Sequence, residues 1–177
     1  HYTPEYTETG VPFYTVETLT KDDFTNTKFI TPELHQKLIK RCNPEKGDIL
    51  MTRIGSLAKT KLIDWDVNAS IYVSLALLKI NDCIDLNYIY QYTKTTQFNK
   101  EIRKRSLLTA FPQKINLGEI GKTKVIVPNS ITEQKQIASI LSDADAKIDA
   151  LRAHREKLVA LKASLIETLL DPGTANA

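Results

Sequence analysis

The stretch that decides the fold runs from residue 130 to residue 171 and reads SITEQKQIASILSDADAKIDALRAHREKLVALKASLIETLLD. It contains no proline or glycine, and an apolar or small residue recurs at every seventh position, at Ile137, Ala144, Leu151, Leu158 and Leu165. Further apolar residues widen this stripe, at Ile140, Leu141, Ile148, Leu161 and Leu169. A sustained seven-residue repeat predicts a long helix whose apolar stripe, the seam, packs against another helix.

Both ends of this helix carry signals. The residues from Ser130 to Glu133 have the capping-box pattern, and Pro172 and Gly173 stop the helix on the other side. Roughly 40 residues at about 1.5 Å each give a length of about 60 Å, too long to lie wholly on the rest of the chain. We therefore predict a globular domain over residues 1–129, a spacer helix over 130–171 and a tail over 172–177.

Polar residues interrupt the seam at the positions where a parallel zipper needs apolar ones, namely Lys147, His154 and Thr168. The helix is therefore expected to form an antiparallel coiled coil with a second copy, or with the missing half of a longer subunit.

The composition is that of a soluble globular protein, with 42% hydrophobic and 25% charged residues in a chain of 177. No apolar run approaches the roughly 18 residues of a transmembrane helix. Cys42 and Cys83 are isolated in the sequence, which predicts two reduced thiols. We expect a cytoplasmic protein with no membrane partner, and a fragment or truncated chain, because the sequence begins without methionine.

Charge is unevenly distributed although the net charge is only +3. Residues 88–114 hold a single acid, Glu101, and six basic side chains, Lys94, Lys100, Arg103, Lys104, Arg105 and Lys114. Such a face suits a polyanion such as DNA. It is equally typical of an ordinary solvated helix surface, and charge alone does not separate the two.

The elements before the helix alternate without a regular βαβ pattern. We predict strands over residues 11–16, 49–54, 71–80 and 124–127, and helices that follow Thr31 and span residues 86–102. This order indicates an α+β domain with a mixed sheet.

Catalytic signatures are missing from the sequence. It has no phosphate-binding loop, dinucleotide fingerprint, zinc-protease helix or serine-nucleophile elbow, and only six glycines. His1, His35 and His154 lie far apart, and the Glu133-Gln134-Lys135 fragment of a nuclease motif falls in the first turn of the helix, where an acid favours the dipole. We predict no catalytic residue, metal site or cofactor.

Four motifs, in order, resemble the specificity (S) subunits of type I restriction-modification enzymes. They are YTPEY followed by GVPFY near the start, KGDILMTRIGS at residues 46–56, FPQKIN at 111–116, and VP, EQ, IA, IL and D-x-x-ID from Val127 to Asp149. The last is the most specific, because proline, capping acid and heptad seam occur together. Two departures are visible: Asn68-Ala69-Ser70 lacks the family's following glutamine, and Ala110-Phe111 replaces its glycine turn.

The resemblance implies a non-catalytic subunit that binds double-stranded DNA. In that family each target-recognition domain reads one half of a split DNA sequence and paired long helices set the distance between halves. Modification (methyltransferase) and restriction subunits join this scaffold. Whole subunits carry two such domains and two helices, so this chain is expected to be one half of a subunit or a half-size subunit that dimerises.

The predicted DNA contacts combine cations and hydrogen-bonding side chains, which read base edges and bind phosphates. They are Arg53, Ser56 and Lys59 at a glycine bend, and Arg103, Lys104, Arg105, Gln113 and Lys114 around the basic stretch. Solvated surface roles remain open for Arg53 and for the 103–105 triplet. Phe111 either stacks on a distorted base or, as the favoured alternative, packs in the core.

A rival function is a scaffold or adaptor whose helix recruits protein and whose basic stretch is incidental. Sequence-specific DNA binding would distinguish the two. An enzyme acting on DNA is disfavoured, because the methyltransferase N/D-P-P-aromatic motif is missing from the sequence.

Overall fold

A computed structural model describes residues 3–107 and 109–170. The chain divides into two compact units, one up to Lys135 and one from Gln136 onward. The predicted α+β class and long C-terminal helix are confirmed. In chain order the elements are β1 (Val11–Tyr14), α1 (Val16–Lys21), β2 (Lys28–Ile30), α2 (Pro32–Ile39), β3 (Ile49–Thr52), β4 (Thr60–Leu62), β5 (Ser70–Ile71), β6 (Leu75–Leu78), α3 (Leu86–Thr93), α4 (Thr96–Arg105), α5 (Leu117–Ile120) and α6 (Ile131–Leu170).

The strands of the first unit form two three-stranded sheets. The first sheet has the order β2-β1-β5 and is mixed, because β1 pairs antiparallel with β2 and parallel with β5. The second sheet has the order β4-β3-β6 and is antiparallel throughout, with Leu50 opposite Lys61 on one side and Leu77 on the other. The predicted mixed sheet is therefore one of two small sheets.

The core lies around the central strand β3. Ile49, Leu50 and Met51 are all fully buried, as their uninterrupted apolar run predicts for a strand covered on both faces. The turn before β3 is held by Asp48, whose carboxylate accepts the Glu45 N–H and the Lys79 ammonium, both at 2.8 Å. The aspartate of the KGDIL motif is thus a structural residue of the turn.

The predicted strand over residues 71–80 is wrong, because the chain changes sheets inside it. β5 ends at Ile71 in the first sheet and β6 begins at Leu75 in the second. Between them the Leu75 N–H donates to the Tyr72 carbonyl at 2.9 Å and closes a turn. The turn contains neither glycine nor proline, the residues that usually indicate one. The mostly apolar segment was therefore predicted as a single strand.

The predicted helix over residues 86–102 is two helices, α3 and α4. The Thr95 hydroxyl accepts the Phe98 N–H at 3.2 Å, while the Thr95 N–H donates to the Tyr92 carbonyl at 3.0 Å. Thr95 therefore ends one helix and serves as the N-cap of the next. The helical spacing of apolar residues continues across the boundary between α3 and α4, so the sequence pattern predicted one helix.

The predicted strand over residues 124–127 is also wrong, because its backbone is irregular. The Ile126 carbonyl accepts the Tyr88 hydroxyl at 2.8 Å, and the nearby Pro128 carbonyl accepts the Gln134 side-chain amide at the same distance. Side chains therefore satisfy carbonyls that a neighbouring strand would otherwise bind.

The first predicted strand ends early, at Tyr14 instead of Val16. The Thr15 N–H donates to the Thr18 hydroxyl at 3.1 Å, and α1 begins at Val16. Helices α1 and α5 and the short strands β2 and β4 were not predicted from the sequence, whereas α2 begins after Thr31 as predicted.

The long helix α6 begins where the capping pattern placed it. The Ser130 hydroxyl accepts the Glu133 N–H at 3.4 Å, and the helix continues to Leu170. Predicted residue Asp171 and the predicted tail over 172–177 lie outside the described residues. Large seam residues are solvent-exposed, with exposed fractions of 69% for Ile140, 43% for Leu141, 45% for Ile148, 68% for Leu151, 52% for Leu158, 56% for Leu161, 47% for Leu165 and 74% for Leu169. Their pairing with a partner helix stays a prediction.

The first turn of α6 is anchored by Gln134, which is only 2% exposed. Its side-chain oxygen accepts the Asp85 N–H at 2.8 Å, and its nitrogen donates to Pro128. The glutamine of the Glu-Gln pair therefore ties the start of α6 to the start of α3.

Candidate nucleic-acid interface

Three segments that are distant in sequence meet at one place in the first unit. The Ile115 N–H donates to the Arg53 carbonyl at 3.0 Å, and the Gly55 N–H donates to the Gln113 carbonyl at 2.8 Å. On the other side of the same segment, the Leu107 N–H donates to the Lys114 carbonyl at 2.8 Å. Residues 53–56, 103–107 and 113–115 therefore form one continuous surface, which we call the basic face.

The bend in the first segment requires a glycine. Gly55 has a φ of +81°, and no neighbouring atom lies within 4 Å of the position that a Cβ would take. Space would permit a side chain there, but the left-handed backbone disfavours one. β3 ends at Thr52, two residues before the predicted strand end, and Ile54 forms only an isolated bridge with Lys114.

Arg53 lies beneath this face and is half-buried. Its Nη1 donates to the Ile115 carbonyl at 3.2 Å, and burial lowers the pKa of its guanidinium. Its Nε is buried and has no hydrogen-bond partner in the described part of the chain. Arg53 therefore holds residue 115 against the end of β3. Its contact with DNA stays a prediction.

The basic triplet at the end of α4 separates into two kinds of residue. Arg103 and Lys104 are exposed, whereas Arg105 is half-buried between two carboxylates. The Arg105 guanidinium lies 3.7 Å from Glu101 and 3.6 Å from Glu119. A hydrogen bond from Lys122, with a smaller contribution from Arg105, holds the pKa of the Glu119 carboxyl below its usual value. Arg103 and Lys104 are thus the triplet's cations most open to a polyanion.

Lys59 and Ser56 lie in the loop after the glycine bend. The Lys59 ammonium donates to the Thr20 carbonyl at the end of α1, at 2.6 Å, while Ser56 is exposed. The loop is closed by Thr52, whose hydroxyl accepts the Lys59 N–H at 3.0 Å. Lys59 is therefore engaged within the protein, and its contact with DNA, like that of Ser56, stays a prediction.

The last predicted pair, Gln113 and Lys114, presents exposed side chains while its backbone joins the neighbouring segments. Phe111, just before this pair, has an exposed fraction of 103%. The favoured expectation of a core aromatic is therefore wrong for Phe111. Leu107 in the basic face and Leu117 at the start of α5 are also exposed, at 43% and 59%.

A concavity of about 610 Å³ in the first unit is lined by more acidic than basic side chains and so differs in charge from the basic face. Three aromatic rings line it, those of Tyr14, Phe24 and Trp65, and the centroids of Phe24 and Trp65 lie 4.9 Å apart. Its acidic lining residues are Asp22, Asp23, Asp64 and Asp66. Like charges repel the phosphates of DNA, so this concavity does not extend the basic face.

What the basic face can do chemically is bind an anion, through cations, amide groups and hydroxyls. In the described residues no group of three histidine, cysteine or acidic side chains is arranged to hold a metal. No helix among them is long and apolar enough to cross a membrane. Cys42 and Cys83 are both free thiols, as expected.

The cations of the basic face are visible in the sequence, whereas the exposed apolar residues in and next to it were not predicted. Leu107, Phe111 and Leu117 would each be assigned to a core by hydrophobicity alone. The available signal for Phe111 is its position next to Pro112, within a segment that no predicted helix or strand covers.

Comparisons with known proteins agree with this architecture. A family model described as the type I restriction modification DNA specificity domain matches residues 3–160. A crystal structure described as the type I restriction-modification system S subunit from M. genitalium is similar in fold, with a TM-score of 0.59 and 18% identity over 95% of this chain and 41% of that chain. A structure from work on complex assembly and conformational transition of the type I R-M system has a TM-score of 0.64 and 17% identity, over 94% of this chain and 39% of that one. The chain thus spans about two-fifths of the length of either protein.

Proposed function

The chain belongs to the family of type I restriction modification DNA specificity domains, and on that premise we propose that it reads one half of a bipartite DNA target. In this proposal it is the specificity subunit, or half of one, and works without a catalytic site of its own. Its protein partners are the modification and restriction subunits of the system, which perform the chemistry.

The observation that carries the proposal is the convergence of three segments on the basic face. Exposed Arg103, Lys104 and Lys114 supply charge for phosphates, and exposed Gln113 supplies an amide that can read a base edge. Hydrogen bonds between the segments hold their backbones relative to one another before DNA binds. Such preorganisation lowers the entropic cost of binding.

The exposed seam of α6 supports the second part of the proposal, a spacer. Apolar side chains along a helix of 40 residues need a covering helix, supplied by a second copy or by the other half of a longer subunit. Antiparallel pairing would place two recognition domains at opposite ends and so define the distance between two half-sites.

The test begins with selection of duplexes from a randomised pool by the unmodified chain, followed by affinity measurements on the enriched duplex at several salt concentrations. We expect Arg103→Ala with Lys104→Ala to reduce the salt slope by about 0.9 for each phosphate that the variant no longer neutralises. Lys40→Ala with Arg41→Ala is the matched control, because that exposed basic pair comes directly after the end of α2, while Arg103 and Lys104 lie in the last turn of α4.

Equal slopes for the unmodified chain and the Arg103/Lys104 variant would remove these residues from the interface. A loss of slope in the control alone would move the interface to α2. Circular dichroism of each variant checks that α4 and α2 are retained.

A scaffold without sequence-specific DNA binding is the second candidate, and the exposed seam favours it as much as it favours the first. The pool selection separates the two. A specificity domain enriches one short sequence, whereas a scaffold enriches none and binds DNA, if at all, through charge alone.

A further inference from the structure

Phe111 lies in the loop between residues 107 and 114, next to the basic face. Its exposed fraction is 103%, so none of the residues that the structure describes covers its side chain. Aromatic side chains are normally among the largest contributors to a core, so a fully exposed ring in a closed loop is informative. The loop is closed, because the Ala110 N–H donates to the Leu107 carbonyl at 3.1 Å and Leu107 in turn pairs with Lys114.

The surroundings of the ring match a nucleic acid better than an apolar protein surface. Lys114 pairs through its backbone with Leu107 at the base of the loop, and Arg103 and Lys104 are exposed one turn earlier, at the end of α4. The loop that carries the ring begins and ends at residues of the basic face, so one segment offers both a stacking surface and charges that bind phosphates, the combination by which proteins hold bases. Charge complementarity therefore selects DNA as the occupant.

We propose that Phe111 inserts as a wedge into the base stack of the bound duplex. The inference rests on the proposed function and adds to it a way of reading DNA that the cations and amide do not provide. Apolar side chains inserted at a base step unstack it and bend the duplex. Because the ring has no donor or acceptor, it selects for steps that deform easily, such as TA or CA/TG, and not for particular base edges.

The test uses the enriched duplex with 2-aminopurine placed at each position in turn. We expect the unmodified chain to raise the fluorescence at one step in each half-site and nowhere else, because the probe brightens when it is unstacked. Phe111→Ala should abolish that signal and weaken binding by about fivefold to about 150-fold, while the salt slope stays unchanged, since every cation that binds phosphate is retained. Phe111→Leu, which keeps an apolar wedge, should retain part of the signal.

Ile126→Ala is the matched control, because Ile126 is a large apolar residue with an exposed fraction of 60% and lies outside both the basic face and the 107–114 loop that carries Phe111. It should bind like the unmodified chain. Thermal unfolding of Phe111→Ala should match that of the unmodified chain, since no buried side chain is removed.

Each further outcome decides the inference. If Phe111→Ala binds the enriched duplex as tightly as the unmodified chain and gives the same fluorescence, the wedge is wrong while the proposed function stands. If Phe111→Ala lowers only the association with a modification subunit, the occupant is a protein and the wedge is again wrong. If the unmodified chain enriches no sequence, the proposed function fails and the wedge fails with it.

Discussion

The two compact units of this chain differ in what they do with their apolar side chains. In the first unit Leu50 and Ile102 are fully buried, and Gln134 satisfies two backbone groups. In α6, Leu151 and Leu158 are more than half exposed. The first unit therefore carries a core of its own, whereas large apolar side chains of the helix are exposed to solvent. We expect the first region to bind DNA through a defined surface and the second to associate with a partner helix.

The strongest destabilisation should come from the core. Ile102→Ala should reduce the free energy of unfolding by about 2–5 kcal/mol, because it opens a cavity at a fully buried position. Fluorescence of Trp65, the single tryptophan, reports unfolding of the first unit in urea. Ile140→Ala in the exposed helix is the comparison, and should stay within about 0.5 kcal/mol. Equal losses for the two variants would contradict the distinction between the units.

A smaller effect is expected at the anchor of the helix. Gln134→Ala should cost about 1–3 kcal/mol, since the Asp85 N–H and the Pro128 carbonyl would each be left without a buried partner. Gln136→Ala, two residues later and exposed, is the matched control and should be neutral. Unchanged stability of the Gln134 variant in the same urea titration would show that the first turn of α6 is held by other interactions.

The weakest effect on the first unit is expected from charge placed in the seam. Leu158→Glu should leave the unfolding of that unit, followed by Trp65 fluorescence, within about 0.5 kcal/mol, because the side chain is already 52% exposed. Its effect should appear in light scattering. The unmodified chain is expected at twice its 20.0 kDa mass, and the variant at the single mass. If the unmodified chain is a monomer, the helix that covers the seam would instead belong to the other half of a longer subunit.

The parts of the fold that sequence predicted are those with local signals. The capping serine and heptad spacing predicted α6, and Thr31 with Pro32 predicted α2. The strand predicted over residues 71–80 failed, because pairing with two different sheets is decided by residues far away in the chain. The helix predicted over residues 86–102 failed since a threonine cap lies inside a spacing that otherwise continues.

The candidate site shows the same division. The clustering of cations between residues 88 and 114 is visible in the sequence. Which of these cations stay exposed and which bind other groups of the protein is not visible there. Arg105 meets Glu119 and Lys59 meets Thr20 through interactions that only the fold creates. The exposure of Phe111 is likewise a property of the closed loop, and hydrophobicity alone predicted the opposite.

In the proposed function α6 sets the distance between two DNA half-sites read by recognition domains, and one selection experiment tests this directly. Duplexes would be selected from a randomised pool by the unmodified chain and by a variant that lacks residues 151–157, one heptad of the seam. We predict that both enrich the same half-sites, with the spacing between them shortened by about 3 base pairs in the variant, because seven helical residues span about 10 Å. Identical spacing for both proteins, or no enriched sequence for either, would contradict this arrangement.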